Sequence, residues 1–341
     1  MWQEWLLFSG KAFVVLFVVL SILITLAVLI ARNKSDSSDQ LEVKDLGKKL
    51  DRLADGLRQR LLSKKSLKAL KKQKKSDAKK EKTSEDNKGT IFVLDFDGDV
   101  RASRVEQFKD EITALLQVAD PNKDEVVVTL ESPGGVVHGY GLAASQLLRI
   151  KQGGLKLTVC VDKVAASGGY MMACTADEIF AAPFAILGSI GVLAQIPNFH
   201  RLLKKNDVDF KVITAGEYKR TLTLFGENTE KGEEKFKQQI QETHDLFKGF
   251  VAKNRPSLNI EKVATGEYWY GEQALELGLI DKIQTSDSYL VSRKSEKRIL
   301  KLRIKTPKSL GEKLAEGMTS LRSQFDRSAQ EPQSPSWPHL L

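Results

Sequence analysis

The sequence predicts an α/β fold built on a parallel sheet with flanking helices, preceded by one amino-terminal transmembrane helix. Two observations carry the α/β assignment. From residue 90 onward, short runs rich in Val, Ile and Leu alternate with stretches of helical periodicity, and repeated β-α-β order means parallel strands joined by crossover helices. Two of those runs lead into glycine-rich turns, Ser132-Pro133-Gly134-Gly135 and Ser167-Gly168-Gly169, at the strand ends where sites form in such sheets. A third observation predicts the membrane helix: residues 12–31 are 20 residues without a charge, dominated by Val, Leu, Ile and Phe.

At about 1.5 Å per residue that run spans about 30 Å, the thickness of a bilayer core. A cleaved signal peptide has an apolar stretch of only about 7–15 residues and a small-residue cleavage site. This run is longer and ends in Ile30-Ala31-Arg32-Asn33-Lys34, which favours an uncleaved anchor over a signal peptide or a buried core helix. Lys11 precedes it, whereas Arg32, Lys34, Lys44, Lys48 and Lys49 follow. By the positive-inside rule these charges put the carboxy-terminal flank in the cytoplasm.

The 341-residue chain has a net charge of +9. Residues 32–88 hold 19 Lys and Arg against 10 Asp and Glu, an excess of nine that accounts for all of it. The remainder is balanced, which excludes a basic nucleic-acid-binding domain, and no aromatic residues are interleaved with the lysines. Leu41, Leu46, Leu50, Leu53, Leu57, Leu61 and Leu62 recur at helical spacing. Residues 35–88 therefore read as an amphipathic or coiled-coil stalk followed by a flexible linker, its lysines suited to anionic lipid headgroups.

The α/β region follows in order. Residues 91–96 are strand-like, and 103–119 are helical with Val105, Phe108, Ile112, Leu115 and Leu116 on one face. Residues 124–131 form a strongly β-branched strand, 137–150 a helix, and 155–161 a strand alternating through Leu155, Leu157, Val159 and Val161, with a short helix after Ser167. Residues 179–199 are 21 residues without a charge, but Pro183, Gly188, Gly191 and Pro197 suit a pair of core strands better than a spanning helix. Residues 210–213 are strand-like, and 228–254 form a long helix with Phe236, Ile240, Phe247 and Val251 on one stripe. Residues 272–277 are a short helix stopped by Gly278, 298–305 alternate as a strand, and 310–325 are amphipathic. The tail after Arg327, rich in Pro, Ser and Gln, has the composition of disorder.

Few residues carry chemistry. Ser167 sits where a strand turns into a helix, and Gly168-Gly169 permit a tight turn and close backbone approach. A helix N-terminus offers unpaired N–H groups to developing negative charge, which suits a nucleophile; the plain alternative is a small-residue turn in a packed core. Gly134-Gly135 after a buried strand can present backbone N–H groups as an oxyanion hole, or can be an ordinary turn. Lys219 can activate a serine if it is kept neutral; taken alone it reads as a solvated surface lysine. His138 is the other base within reach of a serine in sequence, although no acidic partner for it is legible. Cys160 and Cys174 read as buried hydrophobes, and no metal, redox, dinucleotide or phosphate-loop motif is present. No cofactor and no metal are expected.

Taken in order, SPGG (132–135), ASGGY (166–170), GSIGV (188–192), GEYKR (216–220) and GEQALELGLID (271–281) carry what none carries alone. The chain resembles the signal-peptide-peptidase-A family of membrane-anchored Ser–Lys peptidases, and within it the shorter SohB type, over roughly residues 89–290 and the anchor. The resemblance implies a fold like the Clp protease and crotonase group. It also implies a nucleophile at Ser167, a base at Lys219, oxyanion donors at Gly135 and Gly168, and a substrate groove along Gly188, Ser189, Ile190 and Gly191, beside Gly134. The domains are then an anchor (1–34), the stalk and linker (35–88), the peptidase domain (89–290), a strand with an amphipathic helix (291–327) and the tail (328–341). The family pattern implies a bacterial inner-membrane protein with a periplasmic catalytic domain, against the charge count of the flanks. It also implies a homo-oligomer whose serine and lysine can come from neighbouring subunits.

The expected reaction is acyl transfer. Ser167 Oγ attacks a peptide carbonyl and forms an acyl-enzyme that water hydrolyses. Lys219 takes the serine proton and passes it to the leaving amine; burial favours its neutral form, with Leu222, Leu224 and Phe225 as apolar neighbours. A crotonase-like acyl-CoA enzyme would share the fold and the oxyanion hole without needing the serine, the lysine or the anchor. A catalytically idle membrane scaffold on the same fold is the third reading.

Overall fold

Strand-forming runs with apolar residues on both faces build the centre of the molecule. The computed structural model describes residues 40–81 and 88–305, together with residues 5, 11, 13–22, 24 and 25. One unit comprises residues 41–304; the other comprises 1–40 and 305–341. In chain order the elements are β1 (Gln40–Asp45), α1 (Leu46–Leu61), α2 (Lys64–Glu81), β2 (Thr90–Asp97), α3 (Val105–Leu116), β3 (Glu125–Glu131), α4 (Val137–Gln152), β4 (Lys156–Val161), β5 (Val164–Ala166), α5 (Gly168–Ala173), β6 (Glu178–Ala181), β7 (Ile186–Gly188), α6 (His200–Lys205), α7 (Glu230–Asn254), α8 (Ile260–Val263), β8 (Tyr268–Tyr270), α9 (Gly271–Glu276), β9 (Lys282–Ile283), α10 (Ser286–Arg293) and β10 (Arg298–Lys305).

The main sheet has the order β1-β10-β2-β3-β4-β6-β9, and from β10 to β9 neighbouring strands run parallel, as expected. Its faces divide the sequence residue by residue. Phe92, Leu94, Phe96, Val126, Val128 and Leu130 enter one core with Phe108, Ile112 and Leu115 of α3 and Leu147 of α4. Ile91, Val93, Val127, Cys160 and Phe180 enter the other, closed by Tyr289 and Leu290 of α10. A sheet covered on both faces needs apolar residues at successive positions, hence Val126-Val127-Val128. Full burial of each such side chain contributes about 1.5–3 kcal/mol relative to exposure.

A second, three-stranded sheet pairs β5 with β7 in parallel and β7 with β8 antiparallel. It is stitched to the end of β3 by a parallel bridge between Ser132 and Ala165. Residues 179–199 do contain two strands, but β6 lies in the main sheet and β7 in the small one, so they are not a pair. Residues 210–213, expected as a strand, have no regular structure. The leucine repeat expected as a stalk divides into β1, at the sheet edge, and α1, which leaves Leu53, Leu57 and Leu61 exposed. Leu46 packs against the second core and Lys294 pairs with Asp51.

Of the charge-free run, residues 13–22, 24 and 25 are helical. No helix among the described residues is long and apolar enough to cross a membrane. The rest of that run, the linker at 82–87, the expected helix at 310–325 and the tail at 328–341 lie outside the described residues.

Candidate active site

The two glycine-rich turns meet because their strands are hydrogen-bonded to each other. Ser132 N–H donates to Val164 O at 2.9 Å and Ala166 N–H donates to Ser132 O at 3.0 Å. Ser167 therefore follows β5 of the small sheet, three residues in length, rather than β4 directly. Its own N–H donates to Gly188 O at 2.8 Å, and its carbonyl accepts from Met171 N–H as α5 begins.

Ser167 has φ 51° and ψ −117°, a conformation rarely adopted outside glycine, and such strain costs on the order of 1–3 kcal/mol. The bonds on either side hold it there. The glycines around it are demanded by close approach. Gly134 has φ +86°, and a Cβ there would lie 2.7 Å from Ala166 O and 2.8 Å from Gly168 N. A Cβ on Gly168 would lie 2.4 Å from Cγ of Tyr140, and one on Gly135 2.0 Å from Val100 O. The N–H groups of Gly135 and Gly168 have no acceptor among the described residues, and both glycines line the cavity that Ser167 faces.

That cavity has a volume of about 810 Å³. Gly134, Ser189 and Gly191 line it as expected, along with Met171, Val192 and Phe247. Gly188 and Ile190 do not. Gly188 instead receives the Ser167 N–H, and Ile190 is buried with its carbonyl 3.2 Å from His244 Nε2. Among its lining residues there is no carboxylate, ammonium or guanidinium group. Tyr140 and His244 also reach this cavity, and the sequence reading missed both. Tyr140 sits on the buried face of α4 and reads as core; His244 lies three residues before Phe247 on α7, and that stripe was its only signal.

Lys219 is placed differently. It is exposed on the turn that closes with its N–H on Gly216 O at 3.2 Å, and it does not line the cavity. Leu224 and Phe225, expected to bury it, are themselves 44% and 41% exposed. His138 is exposed on α4 and is not among the residues that line the cavity. Cys160 and Cys174 are both buried free thiols, and the described residues hold no group of His, Cys, Asp and Glu able to bind a metal.

A strained serine beside two open N–H groups in a cavity is the equipment of acyl transfer. Comparison with known proteins agrees. The sequence pattern of Peptidase family S49 matches residues 149–300, and that of Peptidase family S49 N-terminal matches residues 1–147. A protein of Haemophilus influenzae named "Probable protease SohB" is 52% identical over 310 residues, 87% of this chain and 88% of its own length. Proteins of the same name from Buchnera aphidicola of Acyrthosiphon pisum and of Schlechtendalia chinensis are 55% and 59% identical over 68% and 61% of this chain, and over 69% and 68% of their own lengths. The chain belongs to peptidase family S49. Its relatives are of the SohB type, as the motif order implied.

Proposed function

We propose that this chain is a membrane-anchored serine endopeptidase that cleaves membrane-associated or envelope proteins and peptides through a Ser–Lys dyad. The observation that carries the reading is Ser167, held at φ 51° beside the unbonded N–H groups of Gly135 and Gly168. Ser167 Oγ adds to the peptide carbonyl, and the two N–H groups receive the oxyanion. The amine leaves with the proton that Lys219 took from the serine, and water then releases the acyl group from Ser167.

Lys219 is exposed in the single chain, so the reading assigns it to the cavity of a neighbouring subunit, where burial would favour its neutral form. The apolar surface of the arm that bears it, residues 207–229, supports this: Phe210 and Ile213 are 49% and 93% exposed. Residues 12–31 would anchor the assembly in the bacterial inner membrane with the catalytic domain in the periplasm. Protease added outside spheroplasts should then degrade that domain, and protection until lysis would place it in the cytoplasm.

A fluorophosphonate probe tests the central claim. It should label the intact protein at Ser167, and Ser167→Ala should abolish labelling. A folded wild type that stays unlabelled and cleaves no peptide would leave the acyl-CoA or scaffold readings.

A further inference from the structure

Behind the oxyanion turn runs a hydrogen-bond relay whose direction is fixed. Tyr140 Oη donates to Asp99 O at 2.8 Å. With that proton committed, Tyr140 Oη is the acceptor for Ser132 Oγ, 2.5 Å away. Ser132 Oγ in turn accepts the Gly134 N–H at 3.0 Å. Ser132 and Tyr140 are both fully buried, at 0% exposure. Each hydroxyl therefore donates one bond and accepts one, and Ser132 has no proton left for chemistry, which separates it from Ser167.

The relay touches both oxyanion donors. Ser132 holds the N–H of Gly134, next to Gly135, and its backbone pairs with β5 ahead of Ser167. The Tyr140 ring fills the space in which a Gly168 side chain would stand. Its hydroxyl ends on the loop whose Val100 O accepts from Val136 N–H at 2.9 Å, so both flanks of the turn are tied to one strut. Displacing a reacting geometry by about 1 Å costs about 100-fold in rate, and loss of an oxyanion donor about 100- to 1,000-fold.

We propose that Tyr140 and Ser132 are positioning residues: by this relay they hold the Gly134-Gly135 turn against Gly168 and so set the spacing of the two N–H groups that receive the oxyanion. The inference rests on the reading of Ser167 as nucleophile.

The test uses the full-length protein, a quenched fluorescent peptide that the wild type cleaves, and a fluorophosphonate. Tyr140→Phe keeps the ring and removes only the hydroxyl; Ser132→Ala removes the junction. Each should lower kcat about 10- to 100-fold with KM within about twofold. Each should slow phosphonylation of Ser167 by a similar factor, because the adduct places its oxygen in the same hole. The double variant should be no worse than the poorer single one, since either change already breaks the relay. Ser286→Ala removes a comparable bond, Oγ to Asp162 at 2.5 Å, in a different part of the fold, and should leave kcat unchanged. Folded variants with lowered melting temperature but wild-type kcat and labelling rate overturn the inference alone, as do additive losses in the double variant. Should one single variant fail to fold, the other carries the same kcat and labelling comparison. A folded wild type unlabelled at Ser167 overturns the nucleophile reading and the inference together.

Discussion

The two proposed members of the dyad sit in opposite surroundings. Around Ser167 every residue of α5 is buried and the backbone is bonded on both sides. Around Lys219, residues 204–220 are all exposed and 207–229 have no helix or strand. The arm is nevertheless rich in apolar residues: Phe199, Phe210 and Phe225 cluster with ring centroids 6.0 and 5.6 Å apart. Asn198 Nδ2 fixes the arm's return by donating to Thr223 O and Gly226 O. A nucleophile and its oxyanion donors need sub-ångström placement, which a packed sheet supplies. A base needs desolvation, and this arm has none of its own. Exposed apolar residues such as Ile213, 93% exposed, would suit an interaction surface, and on that ground the lysine is proposed to serve a neighbouring copy.

The strongest way to break the comparison is to remove each member in turn. Ser167→Ala should reduce peptide hydrolysis by about 10⁴-fold or more, since nucleophile and base act as a unit, with its melting temperature close to wild type. Lys219→Ala should lose nearly as much. Lys219→Arg should not restore it, because a guanidinium stays protonated and cannot accept the serine proton. Mixing the Ser167→Ala and Lys219→Ala proteins under conditions of subunit exchange should recover activity, because some cavities then pair an intact serine with a neighbour's intact lysine. Failure to recover any places both groups in one chain. Substantial turnover by Lys219→Ala alone points to a different base, and His244, at the cavity wall, would be the first to replace.

A smaller effect is expected from Gly134→Ala, confined to the Ser167 side. The φ of +86° and the 2.7 Å approach to Ala166 O admit no methyl without movement of the turn. Strain at such a position costs on the order of 1–3 kcal/mol. The displaced oxyanion turn should lower kcat about 100-fold with little change in KM. Thermal melting and steady-state kinetics on one preparation separate the two, and a variant of full activity would show the turn to be more forgiving than its contacts imply.

The same contrast explains what the sequence could say. β2 and β3 were legible because a sheet buried on both faces writes itself as continuous apolar runs, β4 and β10 because their apolar residues alternate, and Ser167 because glycines follow it. The small sheet was not, since β5, β7 and β8 have three residues each, too few for a period to show. Residues 210–213 are strand-like in composition yet have no strand partner among the described residues: their apolar pattern predicts burial, and burial by another surface would satisfy it equally well. Leu41 to Asp45 failed for the converse reason, as an edge strand half-exposed to solvent reads like the start of the helix that follows. Tyr140 was invisible as a site residue because an aromatic on a buried helix face looks the same with or without a role for its hydroxyl.

The mildest prediction concerns thiols and sharpens the comparison without disturbing either site. Cys160 in β4 and Cys174 just after α5 are the chain's two cysteines, both on the Ser167 side of the molecule. Burial, reinforced by the Asp162 charge, pushes the Cys160 thiol up to about 12, and burial raises Cys174 as well. The reactive form is the thiolate, so at pH 8 about one Cys160 in 10⁴ is ionised, and both sulfurs are closed off by the core. A disulfide reagent should find no reactive thiol in the native protein over an hour and two after denaturation. Ile213→Cys then adds a reporter on the Lys219 arm, at a position 93% exposed. That thiol should react at once when the protein is diluted to single chains and at least about 10-fold more slowly in the assembled oligomer, because a neighbouring copy would cover it. Equal rates at both concentrations would leave the arm in solvent and return the search for the base to the serine's own cavity.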